Sequence, residues 1–475
     1  MSWMMRFVLA MYVVSGGVLW LAGTLCSQEA PNAATQASSQ QLPGEESPAD
    51  PPTTVFPHSE TSRLWVSGQM NFIEQWHPSF HSPYQGPLSL TPQGEHALSR
   101  VFTLFTGVEL TGYAEALFQL ESAGGKGIGN GFGLAGFTNL DVVHNPSLGS
   151  KPYVGRTMLH FAIPLSHDRT LAQRNPLSVF RELPARRLEI RLGKFQLVDF
   201  FDLNSAGSDS HLQFLNLTVD NNGAYDYAAD TRGYTVGAML DFEDHNWGIR
   251  FAEALMPRQA NFIDLEWNLS RARSENIEFE LRNGLLPHRN GVVRLMSYIN
   301  HANMGDYRVA IQQFESGETA VPDVTNHPFR TTTKYGFGGN LEQSLSGWLT
   351  AFGRFGWNEG RQESFAYTEV NQAVTFGIAA NGKKWRRGLD RAGAAFSSNA
   401  LSGDHRLYLA LGGKGFLLGD GHLNYGRENI FEMFYTIHVW RGVYGAFDLQ
   451  HINNPGYNRD RGPVLVPAVR VHLDL

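Results

Sequence analysis

One stretch of the sequence has residue types that a hydrolase uses, because it places a serine between two histidines. This is His77-Pro78-Ser79-Phe80-His81-Ser82. A hydrolase would need a nucleophile that is held by a partnered base, and a structural loop explains the stretch more simply. The sequence contains no GxxxxGK[ST], HExxH or GxSxG motif. We therefore predict no catalytic residues.

A second candidate is the glycine motif Gly131-Phe132-Gly133-Leu134-Ala135-Gly136, which matches GxGxxG. A dinucleotide site needs a strand before this motif and a helix after it. Here a glycine-rich stretch precedes the motif, and Asn145-Pro146 soon follows. The motif is thus predicted to be a flexible loop.

The composition excludes several classes of protein. Of 475 residues, 17% are charged, 12% are aromatic and 50 are glycine. The charge is too low and the aromatic content too high for a disordered chain. With 38 basic and 45 acidic residues, the chain has no polycationic surface, and no nucleic-acid partner is expected. A glycine- and aromatic-rich β protein, or a multidomain soluble enzyme, remains.

The N-terminal region is typical of an exported protein. Residues 1–27 resemble a secretory signal, with Arg6 before an uncharged run from Phe7 to Ala22. Residues 28–62 are rich in Ala, Pro, Ser, Thr and Gln, and we predict that they are disordered. Cys26 is the single cysteine. Its position in the signal excludes a disulfide framework in the mature chain.

From residue 63 onward, apolar and polar residues alternate with a period of two. The alternation predicts strands rather than helices. Examples begin at Leu64, Phe102, Ala114, Leu188, Tyr335, Leu349, Val374, Leu407, Val443 and Leu465. A separate helix-like stretch, residues 306–314, is predicted to be a helix within a loop.

The strands have the length expected of a membrane barrel. About 17 segments of ~8 to 11 residues pair a purely apolar face with a charged one, which suits a lipid-facing wall around a wet lumen. Bacterial barrels of this kind have even strand numbers, and Leu265–Leu269 is the weakest segment. The predicted fold is therefore an all-β transmembrane antiparallel barrel of 16 strands, with 18 as the alternative and with long extracellular loops. It occupies residues 63–475.

Several long motifs carry a resemblance to a known family. They are His77–Pro87, Gly193–Phe195, Val198–Asn204, Gly223–Asp230 with Gly233-Tyr234, Gly382–Trp385 and Asn454–Pro463. In these motifs the chain resembles the OprB-type carbohydrate-selective porins of Gram-negative outer membranes. The resemblance implies passive uptake of sugars through a 16-stranded barrel. The terminal Leu475 departs from the phenylalanine that is usual in such barrels.

A sugar pore would use charged groups and aromatic rings, because sugars offer hydroxyls and an apolar CH face. Arg187, Glu189 and Arg191 share one strand face, which we predict to line the pore together with Lys194. An ordinary solvated barrel wall is the alternative.

The following segment, residues 196–231, holds six aspartates and no Lys or Arg. Three interpretations remain open. The aspartates can form Asx turns, they can belong to a sugar constriction folded into the lumen, or they can bind a structural calcium ion. For the constriction the predicted residues are Asp199, Asp202, Tyr225, Asp226 and Asp230. No other metal or cofactor is predicted.

Two other functions compete with sugar uptake. A polysaccharide exporter would need a wider lumen and a lining of one sign, and a barrel enzyme would need a catalytic set at the lipid boundary. The expected partners are small sugars, outer-membrane lipid and lipopolysaccharide, and the barrel assembly machinery. A homo-oligomer and export through the Sec pathway complete the predictions.

Overall fold

The computed structural model describes residues 53–59, 61–141, 148–282, 285–286, 289–365 and 368–475. The predicted signal peptide and most of the segment 28–62 lie outside these residues. Among the described residues, no helix is long and apolar enough to cross a membrane.

Sixteen antiparallel strands close into one barrel, as the alternation predicted. The strands of the barrel are β1 Leu64–His77, β2 Glu95–Thr111, β3 Ala114–Gly125, β4 Tyr153–Pro164, β7 Arg187–Phe195, β8 Thr235–Glu243, β9 Trp247–Ala254, β10 Arg273–Leu281, β11 Gly291–Ala302, β12 Thr332–Ser344, β13 Leu349–Asn358, β14 Gln372–Asn381, β15 Arg391–Ala400, β16 Glu428–Trp440, β17 Val443–Asn453 and β18 Val464–Asp474. Two short strands, β5 Arg169–Leu171 and β6 Glu182–Pro184, form a separate ribbon.

The first and last barrel strands close the sheet. β1 pairs with β18 in a register that runs from Gln69 opposite Asp474 to Gln75 opposite Ala468. Residues 53–59, which belong to the segment predicted to be disordered, contact this seam. The Val55 amide donates to the Asp474 carbonyl at 2.8 Å, and His58 Nε2 lies 3.0 Å from the Leu475 carbonyl oxygen. This part of the segment therefore has a defined position on the C-terminal strand.

In the described part of the chain, three helices lie in the connections between strands. They are α1 Leu217–Asp220, α2 Tyr307–Glu315 and α3 Gly403–Ala410, and short 3-10 turns span Ile128–Gly131, Leu197–Asp199, Gly382–Trp385 and Pro455–Tyr457. The predicted loop helix is confirmed as α2, which Asp306 caps. The strand predicted around Leu407 is wrong. That stretch forms α3, because Ser402 caps it and it lies in the long connection between β15 and β16.

The two faces of each barrel strand differ in chemistry. On β12, Tyr335 and Phe337 are about half exposed, whereas Lys334 and Asn340 are buried. Successive side chains of a strand point to opposite faces, so the first pair lies on the outer wall and the second faces the lumen. The weak segment Leu265–Leu269 is not a strand; only Leu265 forms an isolated bridge, to Pro257.

The two ends of the barrel also differ. One end carries short turns, such as residues 112–113, 345–348 and 441–442, and the other carries connections such as 196–234 and 401–427. Trp247 and Trp440 are exposed on the outer wall near the short-turn end, as expected of an aromatic girdle at a membrane interface.

Candidate pore constriction

The connection between β7 and β8, residues 196–234, lies inside the barrel. It starts with the 3-10 turn Leu197–Asp199, in which the side chains of Gln196 and Asp199 form a capping box. It then reaches strands on the far side. The Leu215 amide donates to Glu432 on β16 at 2.5 Å, and Arg470 on β18 donates to the Gln213 carbonyl at 3.0 Å. The connection therefore crosses the whole lumen.

Five of its six aspartates face cationic side chains on barrel strands. The pairs are Asp199 with Arg156 (Nε to Oδ2, 2.7 Å), Asp202 with Arg354 (3.1 Å), Asp209 with Arg391 (2.9 Å), Asp226 with Lys334 (2.9 Å) and Asp230 with Lys194 (4.0 Å). The sixth, Asp220, is buried, and burial raises its pKa well above the usual range. Residues 196–231, which contain no Lys or Arg, are thus docked on the cations of the wall.

Carboxylates of the wall bind the backbone of the same segment. Glu278 on β10 accepts a hydrogen bond from the Asp202 amide at 2.7 Å, and Glu342 on β12 accepts one from the Ser205 amide at 2.7 Å. Hydrogen bonds to ionised groups are stronger than neutral ones. The path of the segment is therefore fixed by ion pairs and backbone contacts together.

A second inward segment, residues 132–141, was not foreseen from the sequence. Glu428 accepts hydrogen bonds from the Ala135 and Gly136 amides at about 3 Å. The Phe137 carbonyl accepts one from the Leu217 amide at 3.0 Å, which joins the two inward segments. Leu134, Ala135 and Phe137 are buried. The GxGxxG match is a loop as predicted, but it is packed inside the barrel.

The predicted charged face of β7 does point into the lumen. His160 Nε2 lies 2.8 Å from Glu189 Oε2, and Arg187 donates to Glu189 Oε1 at 2.5 Å. Arg191 also binds Glu189, and its guanidinium lies 4.8 Å from the centre of the Phe200 ring. These groups form one network beneath the inward segment.

The side chain of Lys194 lies on the other face of the strand. Its neighbours in the ladder are Thr157 and Val236. Because side chains alternate, the strand turns Lys194 away from the face that carries Arg191. Near the long-loop end its ammonium donates to the Val154 carbonyl at 2.9 Å and lies 4.0 Å from Asp230 Oδ2, the pair given above.

Exposure divides the remaining predicted residues into two groups. The side chains of Arg187, Arg191 and Asp199 are 17%, 10% and 10% exposed and keep some access to solvent. Glu189, Asp202, Tyr225, Asp226 and Asp230 are buried. The Tyr225 hydroxyl donates to Asn276 at 2.8 Å, and Asp230 accepts from the Arg232 and Tyr234 amides. The buried group therefore anchors the segment, and for Asp230 the contacts are those of a turn.

The charged wall extends well beyond β7. Inward side chains of β8 to β12 add further carboxylates and guanidiniums: Asp241, Glu243, Arg250, Glu278, Glu280, Arg294 and Glu342. Arg250 alone contacts four of these carboxylates at 3.0 to 3.5 Å. Period-two pairs such as Asp241 with Glu243 are visible in the sequence and were missed there. The mixed signs differ from the one-signed lining expected of a polysaccharide exporter.

A further ionisable cluster lies between the inward segments and β18. His211 Nε2 is 3.3 Å from Asp141 Oδ1, and its ring stacks on His472 with centroids 5.3 Å apart. Burial alone would lower the pKa of His211, but the Asp141 and Asp209 carboxylates outweigh it and raise the pKa to about 9. The side chain is 26% exposed. It is therefore a cationic group that solutes in the lumen can reach.

Within the described part of the chain, no group of three or more His, Cys, Asp or Glu side chains is arranged to hold a metal ion. Five of the six aspartates of the inward segment have cationic partners instead.

The sequence was compared with models of protein families. The model described as "Carbohydrate-selective porin, OprB family" matches residues 114–475. The chain belongs to this family of carbohydrate-selective porins. Family and fold together imply a passive sugar channel in the outer membrane rather than an enzyme.

A solved porin structure shares the fold of this OprB-family porin. The high-pH structure of Pseudomonas putida OprB has a TM-score of 0.64 at 13% identity, covering 86% of this chain and 94% of that one. The outer-membrane channel DcaP of Acinetobacter baumannii has a TM-score of 0.46 at 8% identity, covering 87% and 97%. A search of curated proteins found no match.

Proposed function

We propose that this porin carries monosaccharides and small oligosaccharides and selects them where the two inward segments narrow the lumen. The observation that supports this is the docking of residues 196–234 on cations around the wall. An open barrel of ~16 strands leaves a wide aqueous channel, so selection needs an element inside it. Residues 1–27 direct export through the Sec pathway, and the short turns face the periplasm.

The charged groups that keep access to solvent bind the sugar in this proposal. Besides Arg187, Arg191 and Asp199 these are Arg156, Asp209, His211 and Arg391. Together they present donors and acceptors of both signs, which suits neutral polyhydroxyl solutes. Binding stays weak in this design, because a tightly held solute would not leave the pore.

Planar-bilayer recording tests the proposal. Sugar added to the wild-type porin should reduce its ion conductance in a saturable way. The change Arg191→Ala should weaken this blockade by a modest factor, because one hydrogen bond to a charged group is worth roughly 1.5 to 3 kcal/mol when buried and less in a wet pore. Arg186→Ala is the matched control: Arg186 is 52% exposed at the short-turn end and pairs with Asp244 at 3.6 Å. An ion conductance of the wild type that does not change when sugar is added would contradict the proposal.

The porin itself is proposed to catalyse no reaction. His77, the last residue of β1, contacts the loop that follows it, with Nδ1 2.8 Å from the Pro78 carbonyl, and its Nε2 lies 3.9 Å from Glu95. Purified protein should hydrolyse neither esters nor glycosides. Hydrolysis that is abolished by Ser79→Ala would overturn this statement.

A further inference from the structure

A groove runs along the outer wall of the barrel, beside the seam between β1 and β18. Its volume is about 720 Å³, within the range of roughly 300 to 1,000 Å³ that is usual for ligand pockets. Outward-facing residues of β1, β2 and β3 line it: Val66, Gly68, Met70, Phe102, Leu104 and Leu120. Val66 and Leu104 are 49% and 47% exposed. The groove therefore opens to the surrounding lipid.

A glycine forms the floor of the groove. A Cβ atom on Gly68 would lie 3.0 Å from the Thr103 carbonyl oxygen and 3.6 Å from Leu475 Cδ1. Leu475 also lines the groove, together with Phe56 from the segment before β1. Phe56 is 62% exposed. The end of the groove near the short turns is therefore entirely apolar.

The groove is long enough for an acyl chain. On β1 it extends from Val66 to the level of Phe72, whose ladder partner is Arg100. Six residues of strand span roughly 20 Å. A strand tilted by about 40° thus covers about 15 Å of the ~25 Å apolar band of a membrane barrel.

The end of the groove near the long loops is cationic. Arg100 lines it on the same strand face as Phe102 and Leu104. Its guanidinium lies 4.9 Å from the centre of the Phe102 ring, and Nη1 donates to Ser122 Oγ at 3.5 Å. A Cβ atom on Gly124 would lie 3.1 Å from Arg100 Cζ. The glycine thus leaves room for the guanidinium to lie against the wall.

A second cation lies close to this end. Ser122 Oγ donates to the Ser150 carbonyl at 2.8 Å, and Pro152 lines the groove. Lys151 lies between Ser150 and Pro152 in the chain and is exposed. The groove therefore combines an apolar body with two cations at one end.

These cations have no counter-charge within the chain. Among the described residues, neither Arg100 nor Lys151 forms an ion pair with a carboxylate. Elsewhere on the outer wall at this end, Arg273 pairs with Glu275 at 2.6 Å. A charge beside hydrocarbon is unfavourable unless it is paired. An anion from outside the chain would supply the missing partner.

We propose that this groove binds one phosphorylated glycolipid of the outer leaflet, with an acyl chain along its apolar body and a phosphate on Arg100 and Lys151. A guanidinium can bind phosphate through two parallel hydrogen bonds, and the lysine adds a second positive charge. The outer leaflet follows from the proposed orientation, in which the short turns face the periplasm. Sugar uptake is independent of this site, because the groove and the lumen lie on opposite sides of the wall.

A lipid titration tests the cationic end. Porin in detergent is titrated with bisphosphorylated lipid A, and the complexes are counted by native mass spectrometry. The double variant Arg100→Gln with Lys151→Gln should bind at least ten-fold more weakly than the wild type. Arg271→Gln with Arg273→Gln, which also removes two cations near the long loops, should bind like the wild type. Equal affinity in the wild type and the first variant would overturn the proposal.

Two further probes test the chemistry of the lipid. Dephosphorylated lipid A should bind the wild type at least ten-fold more weakly, and it should not distinguish the wild type from the double variant of Arg100 and Lys151. Phosphatidylglycerol should bind more weakly than lipid A. A phosphatidylglycerol affinity equal to that of lipid A would overturn the assignment to a glycolipid.

Filling the groove tests the place of the acyl chain. Gly68→Leu should weaken lipid A binding several-fold, and Val66→Trp, from the exposed rim, should act in the same way if Gly68→Leu does not fold. Gly445→Leu is the matched control, because Gly445 lies on β17 outside the groove and a Cβ atom there would meet no atom within 4 Å. Heat-modifiable mobility on gels shows which variants form the barrel. Unchanged lipid affinity in the folded groove variants would overturn the proposal.

Conductance separates this inference from the proposed function. Sugar should block the double variant of Arg100 and Lys151 as it blocks the wild type. A weaker blockade in that variant would mean that Arg100 faces the lumen, and it would overturn the lipid site. The lipid titration contains no sugar, so a wild-type porin that does not respond to sugar would contradict the proposed function alone.

Discussion

The ammonium group of Lys334 lies 2.9 Å from Oδ2 of Asp226, and the two side chains are 0% and 3% exposed. Asp226 belongs to the inward segment and Lys334 to β12. The same carboxylate accepts a hydrogen bond from the Phe365 amide at 3.1 Å. One ion pair thus joins the inward segment, the wall and the connection between β13 and β14.

Breaking this pair should lower the free energy of unfolding substantially. In Asp226→Ala, Lys334 would remain buried without its counter-charge, and removal of one partner of a buried pair typically costs about 3 to 5 kcal/mol. Urea unfolding in lipid vesicles, followed by tryptophan fluorescence, measures the change. Asp404→Ala is the control, because the side chains of the Arg308–Asp404 pair, at 2.8 Å, are 57% and 27% exposed and the pair should contribute no more than about 1 kcal/mol. If the two variants lost the same free energy of unfolding, Asp226 would not anchor the inward segment.

The His211–Asp141 pair predicts a pH dependence. The pKa of His211 is raised to about 9 from its usual value of 6.5. Its contribution to stability is thus complete below pH 6.5 and is lost as the pH rises through 9. Burial raises the pKa of Asp141, but His211 outweighs it, and the net shift is downward. The contribution of Asp141 is present above its unfolded value of 3.8 and is lost as the pH falls through its folded pKa.

The pH dependence predicted for His211 can be tested by measuring ion conductance and the free energy of unfolding between pH 6 and pH 10. Above pH 9 the wild type should lose up to about 3 kcal/mol of stability, and the ion selectivity of the pore should shift towards cations. His211→Gln should flatten both profiles over this range. His245→Gln, in the exposed turn between β8 and β9, should leave them unchanged. A wild-type profile that His211→Gln does not alter would exclude this assignment.

Small residues on the far wall let the inward segment pack closely. A Cβ atom on Gly393 would lie 2.5 Å from Phe434 and 2.8 Å from Phe214 of the segment. Both atoms belong to rigid rings, so Gly393→Ala should cost about 1 to 3 kcal/mol and increase the noise of the open channel. A Cβ on Gly445 of β17 would meet no atom within 4 Å. Gly445→Ala is therefore a matched control, and noise that rises equally in both would refute the packing argument.

The barrel could be predicted from the sequence because its signal is local. Alternation between neighbours such as Lys334 and Tyr335 reports which side of one strand faces lipid, and an even strand count follows from closure. The same local signal failed at Leu407, where apolar residues two apart lie in a capped helix of a long connection. Periodicity over five residues cannot separate these cases.

The constriction was only partly predictable. The aspartates of residues 196–231 marked the segment, but their partners, such as Arg354 and Arg391, are distant in sequence. No spacing rule connects residues that meet only when the barrel closes. The inward course of residues 132–141 could not be predicted either, because its anchor, Glu428, lies almost 300 residues away in the sequence.

The outer wall gives the last prediction. Phe376 lies in the middle of β14, points outward and is 57% exposed. In a membrane this exposure is contact with hydrocarbon, and an arginine near the bilayer midplane of a barrel costs about 2 to 4 kcal/mol. Phe376→Arg should therefore lower the free energy of unfolding by that amount in vesicles. Val439→Arg, 64% exposed beside Trp440 near the end of β16, should cost about 0 to 1 kcal/mol, because its guanidinium can reach the interface. Equal losses at the two positions would mean that Phe376 does not face the bilayer core.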